Sequence, residues 1–239
     1  MVEATLSLLN HARQSGTFDR FVLLSGSCYP VKPLASLEDA FAADSRREWI
    51  SLTRITRQSS LYNTVGRHWR MAPLLGNSVL DSKVRALYNK ITKVMGRDLA
   101  RETGLTPYIG SQWWGLTEPC VTAILEFVRD HPNFVRAYRS VYAPDEHFFQ
   151  TIVANSCFAS SAINVEDHGS ATNQLAPLHQ IGPARDRFFG NAEADFQLAA
   201  STKKFFIRKV STARSAQLLD RIDRELLGVA GLAPPVSRS

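Results

Sequence analysis

Residues 21–33 read FVLLSGSCYPVKP. Phe21-Val22-Leu23-Leu24 is an apolar run of strand length, and it leads directly into the turn formers Ser25-Gly26-Ser27-Cys28-Tyr29-Pro30. A strand running into such a turn is where α/β proteins place ligand loops, although a plain turn explains the same residues more simply. If the strand lies inside a parallel sheet, it is buried on both faces and needs neighbours for its backbone groups. Upstream, Val2, Leu6 and Leu9 fall at helical spacing and predict a helix over residues 2–14, ended by Gly16. Downstream, Ser36 with Asp39 has the form of a capping box for a short helix, and Trp49-Ile50-Ser51-Leu52 reads as a second strand. The 239 residues are enough for one ordinary domain or one large α/β domain.

The next stretch, 53–78, has no periodicity but carries Arg54, Arg57, Arg67, His68 and Arg70, as a solvated or an anion-facing loop would. Leu80, Val84, Leu87, Ile91 and Val94 then form a helical stripe, with Lys83, Arg85, Lys90 and Lys93 away from it. Docking of that stripe on the body is the expected arrangement, and a peripheral membrane contact through the lysines is the alternative. In Pro107–Leu116 two tryptophans stand side by side. In a strand they point to opposite faces, so one of them is expected either in a second packing layer or against a sugar ring or base. Thr117 and Pro119 mark a helix start, and His131-Pro132 its end.

In Tyr142–Ile152, Pro144 suits a first helical position and Asp145 and Glu146 a first turn, where the helix dipole favours negative charge. By themselves these residues describe an ordinary helix start. Residues 157–200, rich in Ala, Ser, Asn, Gly and Pro, read mostly as loop, and Phe205-Phe206-Ile207 as a short strand. Leu218, Ile222 and Leu226 mark a last helix ended by Gly228. The expected organisation is one domain over 1–230 and a disordered tail over 231–239.

A chain of 239 residues with 44% hydrophobic and 21% charged composition buries a sizeable core. The net charge of +6 and pI near 9.4 suit an anionic partner: nucleic acid, a membrane surface or a phosphorylated small substrate. No dense run of Lys and Arg is present, which speaks against nucleic acid. Cys28, Cys120 and Cys157 lack CxxC spacing and suit a reducing compartment. No stretch reaches the length of an apolar membrane span, and Glu3 stands where a signal peptide wants basic residues, so a cytoplasmic location is expected.

Several chemistries lack their motifs. There is no GxGxxG, no GxxxxGK[ST] and no HExxH. There is also no DxD triplet, the usual means by which a nucleotide-sugar enzyme holds a divalent cation. Glu193 and Asp195, two apart in a presumed loop without a third carboxylate, do not make a metal site.

Three segments together resemble the core-2/I-branching N-acetylglucosaminyltransferase and peptide-O-xylosyltransferase family: FVLLSGSCYPVKP, GSQWWGL at 110–116 and APDEHFFQT at 143–151. A fourth, FFIRKV at 205–210, is similar to the family's closing phenylalanine-arginine-lysine segment. Their order and spacing also agree, over roughly residues 2–227.

The resemblance implies a GT-A-type nucleotide-sugar transferase fold, a Rossmann-like sheet flanked by helices. It implies inverting transfer from a UDP-sugar to a glycan acceptor, with no cofactor and no metal. The base is the glutamate of the proline-aspartate-glutamate motif, here Glu146, which its helix position should keep ionised. Without a metal, protein cations neutralise the leaving diphosphate. Lys209 matches the family's lysine. For the arginine, Arg187 is preferred over Arg185, and Arg208, Ser25 and Gly26 complete the donor set. Trp113 or Trp114, with Gln112 and Asp145, falls to the acceptor and sugar site, Asp145 also orienting the helix start.

Two departures qualify the resemblance. Cys28 stands where the family's SGxD(Y/F)P loop has aspartate, so a hydrogen bond is lost or replaced. The chain also begins inside a helix that the family reaches after its first βα units, an expected N-terminal truncation. With no anchor and few cysteines, a bacterial polysaccharide pathway at the inner face of the membrane is expected. The alternatives are a UDP-xylose enzyme of the same fold and a non-catalytic carbohydrate-binding homologue.

Overall fold

A computed structural model describes residues 1–70, 79–166, 175–182, 186 and 188–229. The elements, in order, are α1 (Val2–Ser15), β1 (Arg20–Val22), β2 (Cys28–Pro30), α2 (Leu34–Ala43), β3 (Ser51–Arg54), α3 (Val79–Met95), α4 (Leu99–Thr103), β4 (Tyr108–Ile109), β5 (Gly115–Thr117), α5 (Glu118–Asp130), α6 (Pro132–Tyr138), α7 (Phe148–Ala154), β6 (Ile163–Asn164), β7 (His179–Ile181), α8 (Glu193–Ser201), β8 (Phe206–Arg208) and α9 (Thr212–Glu225). They form two compact units, one of residues 1–22 and 48–175, the other of 23–47 and 176–239. The proposed tail, 231–239, lies outside the described residues.

The class is mixed α/β, consistent with a GT-A-like fold, but the strands are shorter and less parallel than expected. The 21–24 run pairs only as β1, antiparallel to β5 with Phe21 opposite Leu116, while Leu24 is exposed. In the same unit β3 lies between β4, antiparallel, and β6, parallel. Trp49 joins Gly115 through a two-way backbone bridge of 2.9 and 3.0 Å. The second unit has β8 between β2, antiparallel, and β7, parallel.

The core of the first unit is built around α7. Phe148 to Val153 are all buried, as befits a helix surrounded by other elements. Phe134, Phe148, Phe149 and Trp114 follow one another at centroid distances of 5.2–5.3 Å. α5 begins as its sequence requires, with Thr117 Oγ1 accepting from Cys120 N at 3.4 Å and Pro119 in the first turn. Glu48, which the sequence did not single out, is fully buried beneath this cap and accepts from Thr117 N at 2.9 Å and Thr117 Oγ1 at 2.5 Å. Burial pushes its carboxyl pKa up, and the bonds from Thr117 oppose that shift. The second unit packs Val31, Phe189, Phe196, Ile207, Val210, Leu218 and Ile222 together, the last two from one face of α9.

Local expectations differ in three further places. α2 starts at Leu34, so Ser36 lies inside it and makes no cap. Residues 157–200 contain β6, β7 and α8, because short strands paired through distant partners leave little local pattern. Glu193 and Asp195 therefore open a helix: Glu193 pairs with Arg221 at 2.5 Å and Asp195 accepts from Gly190 N at 2.6 Å. The third is α3, which forms as expected but leaves Leu87, Ile91 and Val94 exposed. The side chain of Leu80 lies outside the described residues.

Candidate active site

In the first unit, residues 143–147 are a braced turn rather than the start of a helix. Pro144–Glu146 form one 3-10 turn, with Glu146 N donating to Ala143 O at 2.9 Å. His147 breaks the backbone path before α7 begins at Phe148. The dipole acting on Glu146 is thereby only that of a three-residue turn. Ala143 enters the turn with φ of 45°, a left-handed conformation costing an L-residue about 1 kcal/mol or more. The tertiary structure holds it there through His147, whose ring is wholly buried. Nδ1 lies 3.0 Å from Ala143 O and Nε2 3.0 Å from Thr64 Oγ1. A carbonyl can only accept, which places the neutral ring's proton on Nδ1. Burial lowers the imidazole pKa to about 4.

Glu146 and Asp145 are partly exposed. The backbone of Glu146 is tied to GSQWWGL, because Gly110 N donates to Glu146 O at 2.9 Å. Gly110 also passes close to β3, where a Cβ would stand 1.9 Å from Ser51 O. Ser111 N donates to Ser51 Oγ at 3.1 Å, and Gln150 Nε2 from α7 to Ser111 O at 2.8 Å. Two of the singled-out segments thus meet, while Gln112 remains partly exposed.

Trp113 and Trp114 follow a different course from that expected. They precede β5, outside any strand, and both are buried, at 3% and 1% exposure. The aromatic surface beside the turn comes instead from Tyr142 and Trp69, rings 4.9 Å apart, both with exposed area. The Arg67 guanidinium covers Trp69 at 3.5 Å, Trp69 N donates to Ser140 O at 2.7 Å, and Tyr142 N to Thr64 O at 3.1 Å. In the sequence this stretch stands out by its charges. A Trp between arginines was its one visible signal.

The segment before the turn is also fixed by Arg97, whose side chain is 1% exposed. It donates to Glu102 Oε2 at 2.6 Å, Ala137 O at 2.9 Å and Ser140 Oγ at 3.2 Å, a buried charge with its donors satisfied. A cleft of about 270 Å³ lies in this unit, lined among others by Arg54, Arg57, Tyr62 and Asp98. Arg57 and Asp98 pair across it at 2.8 Å.

In the second unit, the expected donor residues Ser25, Gly26 and Arg208 come together at the β2–β8 pair. Cys28 stands opposite Arg208, which donates from Nη1 to Ser25 Oγ. Cys28 Sγ lies 3.4 Å from both Ser25 N and Ser25 Oγ, and 3.9 Å from Arg208 Nη1. The thiol thus occupies, with weak sulfur contacts, the place where the family's aspartate would accept hydrogen bonds. Gly26 is exposed. Lys209 is partly exposed, its ammonium 5.8 Å from the Phe188 ring, and its carbonyl accepts from Phe189 N at 2.8 Å. His179 stacks on Phe206 at 5.1 Å, and burial, with Arg208 and Lys204 nearby, lowers its pKa to about 3. Arg187 and Arg185 lie outside the described residues.

Comparison with known families supplies the classification. The family model described as Core-2/I-Branching enzyme matches residues 1–174, which include the first three singled-out segments. Arg208 and Lys209 lie beyond that match. No curated protein matches the chain. A match over most of the chain, containing the braced Glu146 turn and the GSQWWGL segment tied to it, places this protein in the core-2/I-branching enzyme family, glycosyltransferases that move a sugar from a nucleotide-sugar donor to a glycan acceptor.

Proposed function

We propose that the protein transfers N-acetylglucosamine or a related sugar, with inversion, from a UDP-sugar to a glycan hydroxyl, and that Glu146 is the base. The observation that carries this reading is the turn: a partly exposed glutamate at the end of a braced 3-10 turn, its carbonyl held by Gly110. The Glu146 carboxylate takes the acceptor's hydroxyl proton as that oxygen bonds to the anomeric carbon, on the face opposite the diphosphate. The bond from the anomeric carbon to the UDP oxygen breaks and its electron pair leaves with the diphosphate. Neutralising that charge is assigned to side-chain cations, Lys209 and Arg187, with Arg208 in the same donor set, and so to no metal. Ser25 and Gly26 belong to the same donor set. Gln112 and Asp145 are assigned to the acceptor, and the Tyr142–Trp69 pair supports a stacking role better than Trp113 or Trp114, since those two are buried. The reaction is placed in the cytoplasm, at the inner face of a membrane.

The decisive experiment is Glu146→Gln. It should reduce transfer by at least about a hundredfold and leave donor affinity nearly unchanged, because only proton abstraction is lost. Near-normal turnover removes Glu146 from the mechanism.

A further inference from the structure

α3 turns its apolar side to solvent. Leu87, Ile91, Val94 and Met95 are 59%, 50%, 86% and 78% exposed. The side toward its own unit is polar: Asp81 and Thr92 are buried, at 2% and 7%. Hydrogen bonds from 67–70 and to it hold that side. Arg67 Nη1 donates to Asn89 O at 3.0 Å, Arg70 N to Asn89 Oδ1 at 3.2 Å, and Thr92 Oγ1 to His68 O at 2.8 Å. An amphipathic helix ordinarily docks the other way round, because burying its apolar stripe is what holds it in place.

At 3.6 residues per turn, Leu87, Ile91 and Val94 fall in a sector about 60° wide. Lys83 and Lys90 line its flank on the side away from Asp81 and Thr92, and Lys93 lies farther round on that same side. All three lysines are exposed and make no ion pair among the described residues. Asp81 is the one acidic residue of α3, and it is buried and paired with Arg85 at 2.9 Å. The solvent side therefore carries an apolar stripe edged by cations, with no carboxylate.

We propose that α3 is an interfacial helix that seats the protein on an anionic phospholipid surface. Leu87, Ile91 and Val94 enter the boundary between headgroups and acyl chains, and Lys83, Lys90 and Lys93 meet the headgroup phosphates. The charge pattern selects this occupant. A second copy seated on the same stripe would bring lysines against lysines, whereas an anionic surface complements them. The helix lies on the bilayer: among the described residues no helix is long and apolar enough to cross one. This inference is independent of the donor, acceptor and base assigned above.

The test is sedimentation of the full chain with vesicles of phosphatidylcholine alone, or with about one-third phosphatidylglycerol. Two triple variants accompany it, Leu87→Gln/Ile91→Gln/Val94→Gln and Lys83→Gln/Lys90→Gln/Lys93→Gln. All six positions are exposed, so circular dichroism should show an unchanged fold. Wild type should bind the anionic vesicles, and each variant at least about tenfold more weakly, equivalent to about 1.4 kcal/mol. Failure of wild type to bind, or wild-type binding by either folded variant, overturns the proposal. So does a lipid-free dimer at sedimentation equilibrium that the apolar-to-glutamine variant abolishes, since the stripe then belongs to a second copy. Should one variant fail to fold, the other carries the comparison.

Discussion

The buried imidazole of His147 reaches back four residues, its Nδ1 3.0 Å from the carbonyl oxygen of Ala143, and so closes the turn that carries Glu146. Burial disfavours the charged ring, and the bond to Ala143 only partly opposes that. Its pKa lies near 4 in the fold, against about 6.5 in an unfolded chain. Between those values the unfolded state binds a proton that the native state does not. The stabilisation from the neutral ring is thus complete above pH 6.5 and is lost as pH falls toward 4, on the order of 3 kcal/mol in all. His179, with its pKa lowered to about 3, acts with the same sign. Urea midpoints measured from pH 7.5 to 4 should fall with pH, and more shallowly in His147→Gln. Parallel curves for the two proteins contradict the linkage.

Gly110→Ala tests the junction between the two segments that meet at Glu146. A methyl group 1.9 Å from Ser51 O forces β4 away from β3, at about 2–3 kcal/mol or more. Folded enzyme should also show a lower kcat, because the Gly110–Glu146 hydrogen bond shifts with the strand. Unchanged stability and unchanged kcat would mean that the close approach is relieved without consequence.

The tryptophans can be separated by what their removal costs. Trp114→Ala empties a core position beside Phe149 and should lower stability by about 3–5 kcal/mol. Trp69→Ala should cost under about 1.5 kcal/mol in stability but raise the acceptor KM about tenfold with kcat nearly preserved, as for a lost stacking surface. An unchanged acceptor KM in Trp69→Ala removes the platform from the proposal.

Leaving-group stabilisation by side chains gives two linked expectations. Donor turnover should persist in EDTA, and Lys209→Ala should weaken UDP binding by about 1.5–3 kcal/mol, as for a charge-assisted hydrogen bond. Loss of all activity in EDTA, restored by manganese, contradicts the assignment. Calorimetry with UDP measures the second quantity directly.

The sequence by itself determined the elements whose signals are local. The helix spacing of Val2, Leu6 and Leu9, the Thr117 cap with Pro119, and the Leu218–Ile222 face of α9 all appear where the pattern placed them, because a helix satisfies its backbone within one segment. The family was also legible, in short motifs whose order survives without any knowledge of their contacts. Strand partners were not. A three-residue strand such as β1 or β8 has too few positions to show a period, and its partner is chosen by distant residues.

Only the tertiary structure decided which side of each element faces inward. It buried both Trp113 and Trp114, left the stripe of α3 in solvent over a polar seat, and made a partner of His147 for the strained Ala143. Burial is a property of what comes to lie against a residue, and hydrophobic free energy follows the area covered. A stripe of leucine and isoleucine therefore reads identically whether a protein core, a lipid surface or water lies against it.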